Sequence, residues 1–368
     1  NKDRFSKLLF PVFAVLSVIV AVVAGVVNKN FVSAFSTLMA CLVVSLPVSV
    51  LLTLNVSLSS LNKKLEKKKS CVTGYLSATS IDKSNAIIVD ATDLFDMSRC
   101  NFHGMKDYGT VRVDDIILYA AAMLTNSRGP LAHVFDKAIL GNKAELLPEV
   151  EDLCYEERLG LSGWIRGEKV LIGNRNLLIN HNMEAPPKGA EVACLKDGKK
   201  VLYIAIDGQV AAMLVVGYAK NEQMKKYLSR LDRHGITVVV TTNDCNIDED
   251  FLSLEFNMPR ESFKVVGDYE GGLLDGIIHK EKQTAPAKII HDGKSQSFFE
   301  AFASAIAYAS GIKISLAVQT VIMFLGLVTV AIFALSGKLA LFGAGIVILI
   351  QLFISAFMTL LAIIRTKF

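Results

Sequence analysis

Uncharged, strongly apolar stretches occupy the two ends of the chain, and shorter patterns fill its middle. Leu8 to Val27, Phe31 to Leu61, Ile314 to Leu335 and Leu339 to Ile364 carry no charged residue. Each reaches the ~20 residues that cross a hydrocarbon core of roughly 30 Å. The pattern predicts four membrane helices, grouped two and two. The second stretch exceeds the membrane thickness by about half at ~1.5 Å per residue, so it predicts a helix that leaves the membrane as a stalk. Pro47 breaks the hydrogen-bond ladder of that helix inside the membrane. A cleaved leader is the rival reading of Leu8 to Val27. No A-x-A site follows it, however, and the next apolar stretch begins three residues later.

Between the ends, residues 86–90 run through β-branched positions to Asp90 and predict a buried strand. Helical spacing predicts helices over 113–125, 130–140 and 220–233. Strands are expected at Gly163–Arg166, Lys169–Ile172, Glu191–Leu195, Lys200–Ile206 and Val210–Val216, with Asp207-Gly208 as a type I′ hairpin turn between the last two. A further buried strand over 236–240 ends at Thr241-Thr-Asn-Asp244. Two strands that each end at an aspartate thus flank an α+β insert at about 100–212. That is the plan of a doubly wound sheet carrying a cap.

Composition adds that 52% of the 368 residues are hydrophobic and that mean hydropathy is +0.43, too apolar for a purely soluble chain. Lys2, Arg4 and Lys7 precede the first stretch; Lys63, Lys64, Lys67, Lys68 and Lys69 follow the second. Lys313 precedes the third, and Arg365 and Lys367 follow the fourth, while the hairpin tips carry only Lys29 and Lys338. The positive-inside rule then expects both termini and the region 62–312 in the cytoplasm of an integral, plasma-membrane protein. The lipid bilayer is the first partner. The lysine cluster beside a span reads as topology, and a net charge of +4 gives no support to a nucleic-acid partner. The six cysteines form no C-x-x-C pair and are expected reduced and structural.

The stretch IIVDATDLF, Ile87 to Phe95, ends a strand in a carboxylate, and Asp90 is open to three readings: a nucleophile, the relic of one, or a helix cap. Its surroundings resemble the P-type ATPases, from the third membrane helix of that family through the sixth. In the family a proline-broken membrane helix leads by a basic stalk to a strand ending in DKTGT, whose aspartate is phosphorylated by ATP. A nucleotide-binding domain is inserted next, followed by a TGD motif, a GDGxxND motif and further membrane helices. This chain keeps the order of elements over nearly its whole length. The resemblance implies a haloacid dehalogenase-like α/β phosphorylation domain with an inserted α+β nucleotide-binding-like domain, carried on four spans. It divides the chain into a helix pair (1–61), stalk and first phosphorylation part (62–99), insert (100–212), second phosphorylation part (213–292) and second helix pair (293–368).

The motifs depart from the family. DKTGT appears as Asp90-Ala91-Thr92-Asp93-Leu94, which loses a cation and gains a carboxylate near the expected phosphate. TGD appears as Thr242-Asn243-Asp244. For GDGxxND the nearest candidates are Gly267-Asp268 and His291-Asp292-Gly293, neither followed by Asn-Asp. The resemblance implies Asp90, Thr92, Thr242 and Asp244 as catalytic, and Asp90 and Asp268 as ligands of Mg²⁺. In the insert, the heavy-metal subgroup's Ser-Glu-His-Pro appears as Ser127-Arg128-Gly129-Pro130. Its glycine pair and Gly-Asn appear as Gly160, Gly163, Gly173 and Asn174, implied nucleotide contacts. At the membrane break the subgroup's Cys-Pro-Cys is Leu46-Pro47-Val48, which leaves Cys41 and Pro47 as the implied ion path. The cofactors expected of an active form are ATP and Mg²⁺, and its cargo is a cation.

Three readings follow. The first is a catalytically impaired pseudo-ATPase derived from an ATP-driven cation transporter. The second is an active, divergent pump that forms an aspartyl-phosphate at Asp90, with its actuator domain upstream of Asn1. The third is a membrane-anchored phosphatase, against which Thr92 stands where the haloacid dehalogenase class usually carries an acid.

Overall fold

A computed structural model describes residues 2–45, 48–127, 129–135, 147–196, 198–267, 286–339 and 344–366. Two compact units emerge: one from residues 1–83 and 287–368, the other from 84–286.

The first unit opens with helices α1 (Lys2–Asn28), α2 (Phe31–Ser45) and α3 (Val48–Glu66), then strand β1 (Ser70–Val72) and the short helix α4 (Tyr75–Ile81). Among the described residues two helices, not the expected four, are long and apolar enough to cross a membrane: Pro11–Asn28 within α1 and the later Ser295–Leu335. The sequence explains the difference. Within the uncharged stretch 31–61 the described residues form α2, to Ser45, and α3, from Val48. Thr53, Asn55, Ser57, Ser59 and Ser60 then dilute the hydropathy of α3. Phe31–Ser45 and Ile346–Leu361 remain as shorter apolar helices. Pro47 lies outside the described residues.

The chain then enters the second unit with β2 (Ala86–Asp90), a one-turn helix α5 (Ala91–Leu94) and β3 (Asn101–Asp107). Next come α6 (Val113–Ser127), β4 (Glu151–Glu156), β5 (Gly160–Ile165), β6 (Glu168–Gly173), α7 (Arg175–Asn180) and α8 (Gly189–Lys196). They are followed by β7 (Lys200–Ile206), β8 (Gln209–Gly217), α9 (Glu222–Arg233), β9 (Thr237–Thr241), α10 (Glu249–Phe256) and β10 (Phe263–Val266). Two sheets result. A three-stranded sheet has the order β10-β9-β2, and a six-stranded one the order β3-β8-β7-β6-β5-β4.

The small sheet is parallel throughout. Ile87 and Val89 of β2, Val238 and Val240 of β9, and Phe263 and Val265 of β10 are buried on it. Helix α9 packs by Met224, Tyr227, Leu228 and Leu231, an apolar face at helical spacing, and Asn221 caps it by accepting from the Gln223 N–H. The large sheet is antiparallel. Its β7–β8 hairpin turns at Asp207 and Gly208, with φ of 46° and 81°, the left-handed pair that a type I′ turn requires. Helix α6 closes one face with Ile116, Tyr119, Ala120, Met123 and Leu124 buried.

Three local expectations change. Residues 191–195 lie in helix α8 rather than a strand. Glu191 is held there by Arg175 Nε at 2.7 Å and by the Tyr203 hydroxyl at 3.0 Å, a tertiary preference that overrides its strand-like alternation. Pro130 to Phe135 form turns in place of the start of a helix, and 136–140 lie outside the described residues. Strands β3, β4 and β10 join those expected.

Re-entering the first unit at Ala287, the chain forms β11 (Ile289–His291), the 41-residue helix α11 (Ser295–Leu335) and α12 (Ala344–Thr366). Strand β11 pairs antiparallel with β1, Val72 opposite Ile289.

Candidate functional site at the carboxyl edge of the parallel sheet

Register brings the predicted residues to one edge. Asp90 of β2 is paired opposite Thr241 of β9, and Thr241 opposite Val266 of β10. The Thr242 N–H donates to the Val266 carbonyl at 3.0 Å. Asp90, Thr242 and Gly267 therefore follow or end three parallel strands at their carboxyl ends, where open α/β sheets place ligands. Among the described residues β2 is an edge strand of this sheet.

Asp90 itself is exposed and caps helix α5. Its Oδ1 accepts from the Thr92 N–H at 2.8 Å and from the Thr92 hydroxyl at 2.6 Å. Its own N–H donates to Asp93 Oδ2 at 3.2 Å. This reciprocal arrangement is a capping box. The three departures from DKTGT thus have local explanations: Asp93 is the partner of the box, and Ala91 and Leu94 are buried, packing the turn inward. Phe95, the last residue of the stretch, lies 5.8 Å from and stacked on Phe251, and 5.6 Å from Tyr218.

Asp244 is held differently. Its Oδ2 accepts from the Tyr218 hydroxyl at 2.5 Å and its Oδ1 from the Asn246 N–H at 3.0 Å. Its N–H donates to Thr242 Oγ1 at 3.1 Å, so the hydroxyl expected to meet phosphate closes its own turn. Burial pushes the Asp244 carboxyl above the usual range, opposed by Tyr218, the Asn246 N–H and Lys200. Tyr218, whose hydroxyl burial raises well above its ordinary value, was not legible as a site residue, because its role arises from a partner 26 residues away.

In the insert, Gly160 pairs with Gly173 across β5 and β6. A Cβ on Gly160 would stand 2.3 Å from the Ile172 carbonyl oxygen and 2.5 Å from Gly173 Cα, and φ at Gly160 is +147°. A Cβ on Gly163 would meet Val150 and Met123. Asn174 caps α7 by accepting from the Asn176 and Leu177 N–H groups, and donates to the Arg158 carbonyl at 2.7 Å. These residues have architectural work in the fold. Ser127 and Gly160 also line a small void, together with Gly129, Ile172 and the Asn243–Cys245 loop. Pro130 is buried beside it in sequence.

Among the described residues the void beside the implied nucleotide contacts is small and mostly apolar. The void measures about 10 Å³, against the roughly 300 Å³ or more of ordinary ligand pockets. Among the described residues no group of three His, Cys, Asp or Glu side chains can hold a metal ion. Asp268 lies outside the described residues. In the first unit Cys41 is buried on α2, and Gln351 Nε2 donates to the Val43 and Val44 carbonyls of the same helix at 3.1 and 3.2 Å.

No family model matches the chain. Its fold is that of a zinc-transporting PIB-type ATPase in the E2.Pi state, whose crystal structure superposes with a TM-score of 0.55 at 15% identity over 99% of this chain and 63% of that one. In sequence it is 21% identical over 322 residues to a copper-exporting P-type ATPase of Bacillus subtilis, matching 86% of this chain and 39% of that protein. It is 27% identical over 217 residues to a copper-exporting P-type ATPase of Legionella pneumophila, 56% of this chain and 29% of that one. The homologues of this chain are P-type ATPases of the heavy-metal-transporting kind. The chain spans well under half the length of these curated relatives.

Proposed function

We propose that this chain is a catalytically impaired P-type ATPase-like membrane protein, a pseudo-ATPase derived from an ATP-driven cation transporter. In this reading 62–99 and 213–292 hold the stalk and the two parts of a haloacid dehalogenase-like domain, 100–212 is a nucleotide-binding-like insert, and four spans in two pairs carry them with both termini in the cytoplasm. The observation that carries the reading is the capping box. The carboxylate that would attack the γ-phosphate already accepts two bonds from Thr92. The Asp93 carboxylate lies against the Asp90 N–H, adding negative charge where phosphoryl transfer needs cations. Incubation of the full chain with γ-labelled ATP and Mg²⁺ tests it. The expected result is no acid-stable, hydroxylamine-sensitive label on wild type or on Asp90→Asn; label on wild type alone overturns the proposal.

An active, divergent cation pump is the second reading. The register that sets Asp90 opposite Thr241 favours it, since the strand tips keep the order that phosphorylation at Asp90 would use. ATP, Mg²⁺ and a transported cation belong to that reading, with Cys41 and Pro47 on its membrane path.

A further inference from the structure

The start of β3 and the end of β8 border a cleft of about 330 Å³, lined by Ser98, Arg99, Asn101, His103 and residues 217–219. That volume falls in the roughly 300–1,000 Å³ range of small-molecule pockets. Local structure shapes it. Phe102 pairs with Val216 and Gly104 with Val215, so His103 is an extra residue in β3, and a bulge of this kind re-aims a side chain. The imidazole lies across Gly217, where a Cβ would stand 2.5 Å from His103 Nε2. Glycine at 217 is therefore the space that the ring occupies. Arg99 ends the single 3₁₀ turn Met97–Arg99, and Asn101 opens β3 opposite Gly217.

The lining is rich in donors. Arg99, Asn101 and His103 are exposed, and among the described residues their side chains have no hydrogen-bond or ion-pair partner. Asp96, the acid beside this run, is engaged at Oδ1 by the Ser98 N–H at 3.2 Å and the Ser98 hydroxyl at 2.6 Å. The Ser98 oxygen is left as an acceptor. The cleft thus offers a guanidinium fork, an imidazole, an amide and a hydroxyl oxygen, with no carboxylate in its lining. Arg99 and a protonated His103 carry two positive charges. A phosphomonoester, at about −1.5 to −2 near pH 7, matches them better than a single carboxylate does, and its oxygens suit the guanidinium fork.

We propose that this cleft binds a small phosphomonoester of the sugar-phosphate class, its phosphate on Arg99 and His103 and its hydroxyl groups on Asn101 and Ser98. The site is separate from the sheet edge at Asp90 and Asp244. Asn101 and Gly217 share one face of the strand pair, whereas the next residue, Tyr218, turns the other way, toward Asp244. The cleft also shares no lining residue with the void at Ser127 and Gly160. The inference goes beyond the pseudo-ATPase reading and does not depend on it, since it neither requires nor forbids phosphorylation at Asp90.

The test is isothermal titration calorimetry of the full chain in lipid nanodiscs, with ribose 5-phosphate as probe and ribose and succinate for comparison. Ribose 5-phosphate is expected to bind saturably at one site, and the other two at least about tenfold more weakly. Arg99→Gln and His103→Gln are each expected to weaken binding about tenfold, the effect of removing one charged hydrogen bond, with thermal unfolding unchanged because both side chains are exposed. Hydrogen exchange is expected to slow on binding in peptides spanning 98–105 and 215–220. Absence of saturable binding to wild type overturns the proposal. So does binding that survives both substitutions, or that slows exchange only elsewhere, because the ligand then sits at another place. Succinate binding as tightly as ribose 5-phosphate overturns the assignment to a phosphomonoester.

Discussion

Asp90 and Asp93 illustrate how one carboxylate pair serves geometry in place of chemistry. At an N-cap, Asn is as good as Asp, whereas Ala forfeits about 1 kcal/mol. Asp90→Ala is therefore expected to destabilise the second unit by about 1 kcal/mol, and Asp90→Asn by a few tenths, in urea denaturation followed by fluorescence of the lone Trp164. Equal losses in the two variants would show that charge, not capping, is what Asp90 supplies. Asp244 gives a residue-scale prediction of pH dependence. Its carboxyl is raised by burial, so its contribution to stability is fully present below about pH 3.9, the unfolded value, and is lost as pH rises through the folded value. Asp244→Asn, which keeps an acceptor for Tyr218, is expected to gain on wild type in denaturation midpoint between pH 4 and pH 7. Glu249 has the opposite sign. Burial works against its carboxylate, but the Val265 N–H and Arg158 outweigh it and hold it low. Its contribution is present above about pH 4.3 and is lost as pH falls through its folded value.

Among the elements, the paired glycines Gly160 and Gly173 decide whether β5 and β6 approach closely enough to pack. Ala at 160 meets the Ile172 carbonyl and must hold φ near +147°, a region that L side chains rarely adopt. Gly160→Ala is expected to lower stability by about 3 kcal/mol, measured by thermal unfolding. Strand β2 was legible because Ile87 and Val89 are β-branched core residues ahead of a polar tip. Strands β3 and β4 were not. Both are edge strands of the six-stranded sheet, and Asn101–Asp107 and Glu151–Glu156 are mostly exposed or half-buried along their length, so no apolar alternation announces them. Helix α8 was misread because Glu191-Val-Ala-Cys-Leu alternates like a strand, while its helical state depends on Arg175 and Tyr203.

For the whole molecule, the order of elements carried most of the readable information. Apolar stretches at both ends with basic flanks, and two aspartate-tipped strands around an insert, sufficed to expect the fold that the zinc-transporting pump also has. The candidate site was legible as positions and not as contacts: Asp90, Thr242 and Asp244 reach the expected edge, yet their partners Thr92, Asp93 and Tyr218 were set by turn geometry and long-range packing. The membrane half was legible in part. Freedom from charge marks a stretch as apolar, but the serines and threonine of α3 dilute its hydropathy, and among the described residues two helices, not four, have spanning length and hydropathy.

The pairing of Val72 with Ile289 has a consequence for synthesis. The first unit is written in two instalments, residues 1–83 and 287–368, so its sheet ribbon and the contacts of its opening helices with α11 and α12 cannot close until the ribosome has passed the whole intervening unit. Residues 84–286 emerge as an uninterrupted block and can complete their own core while the opening helices wait for their late partners. Chain order therefore imposes a folding order, with the unit that carries Asp90 finishing first.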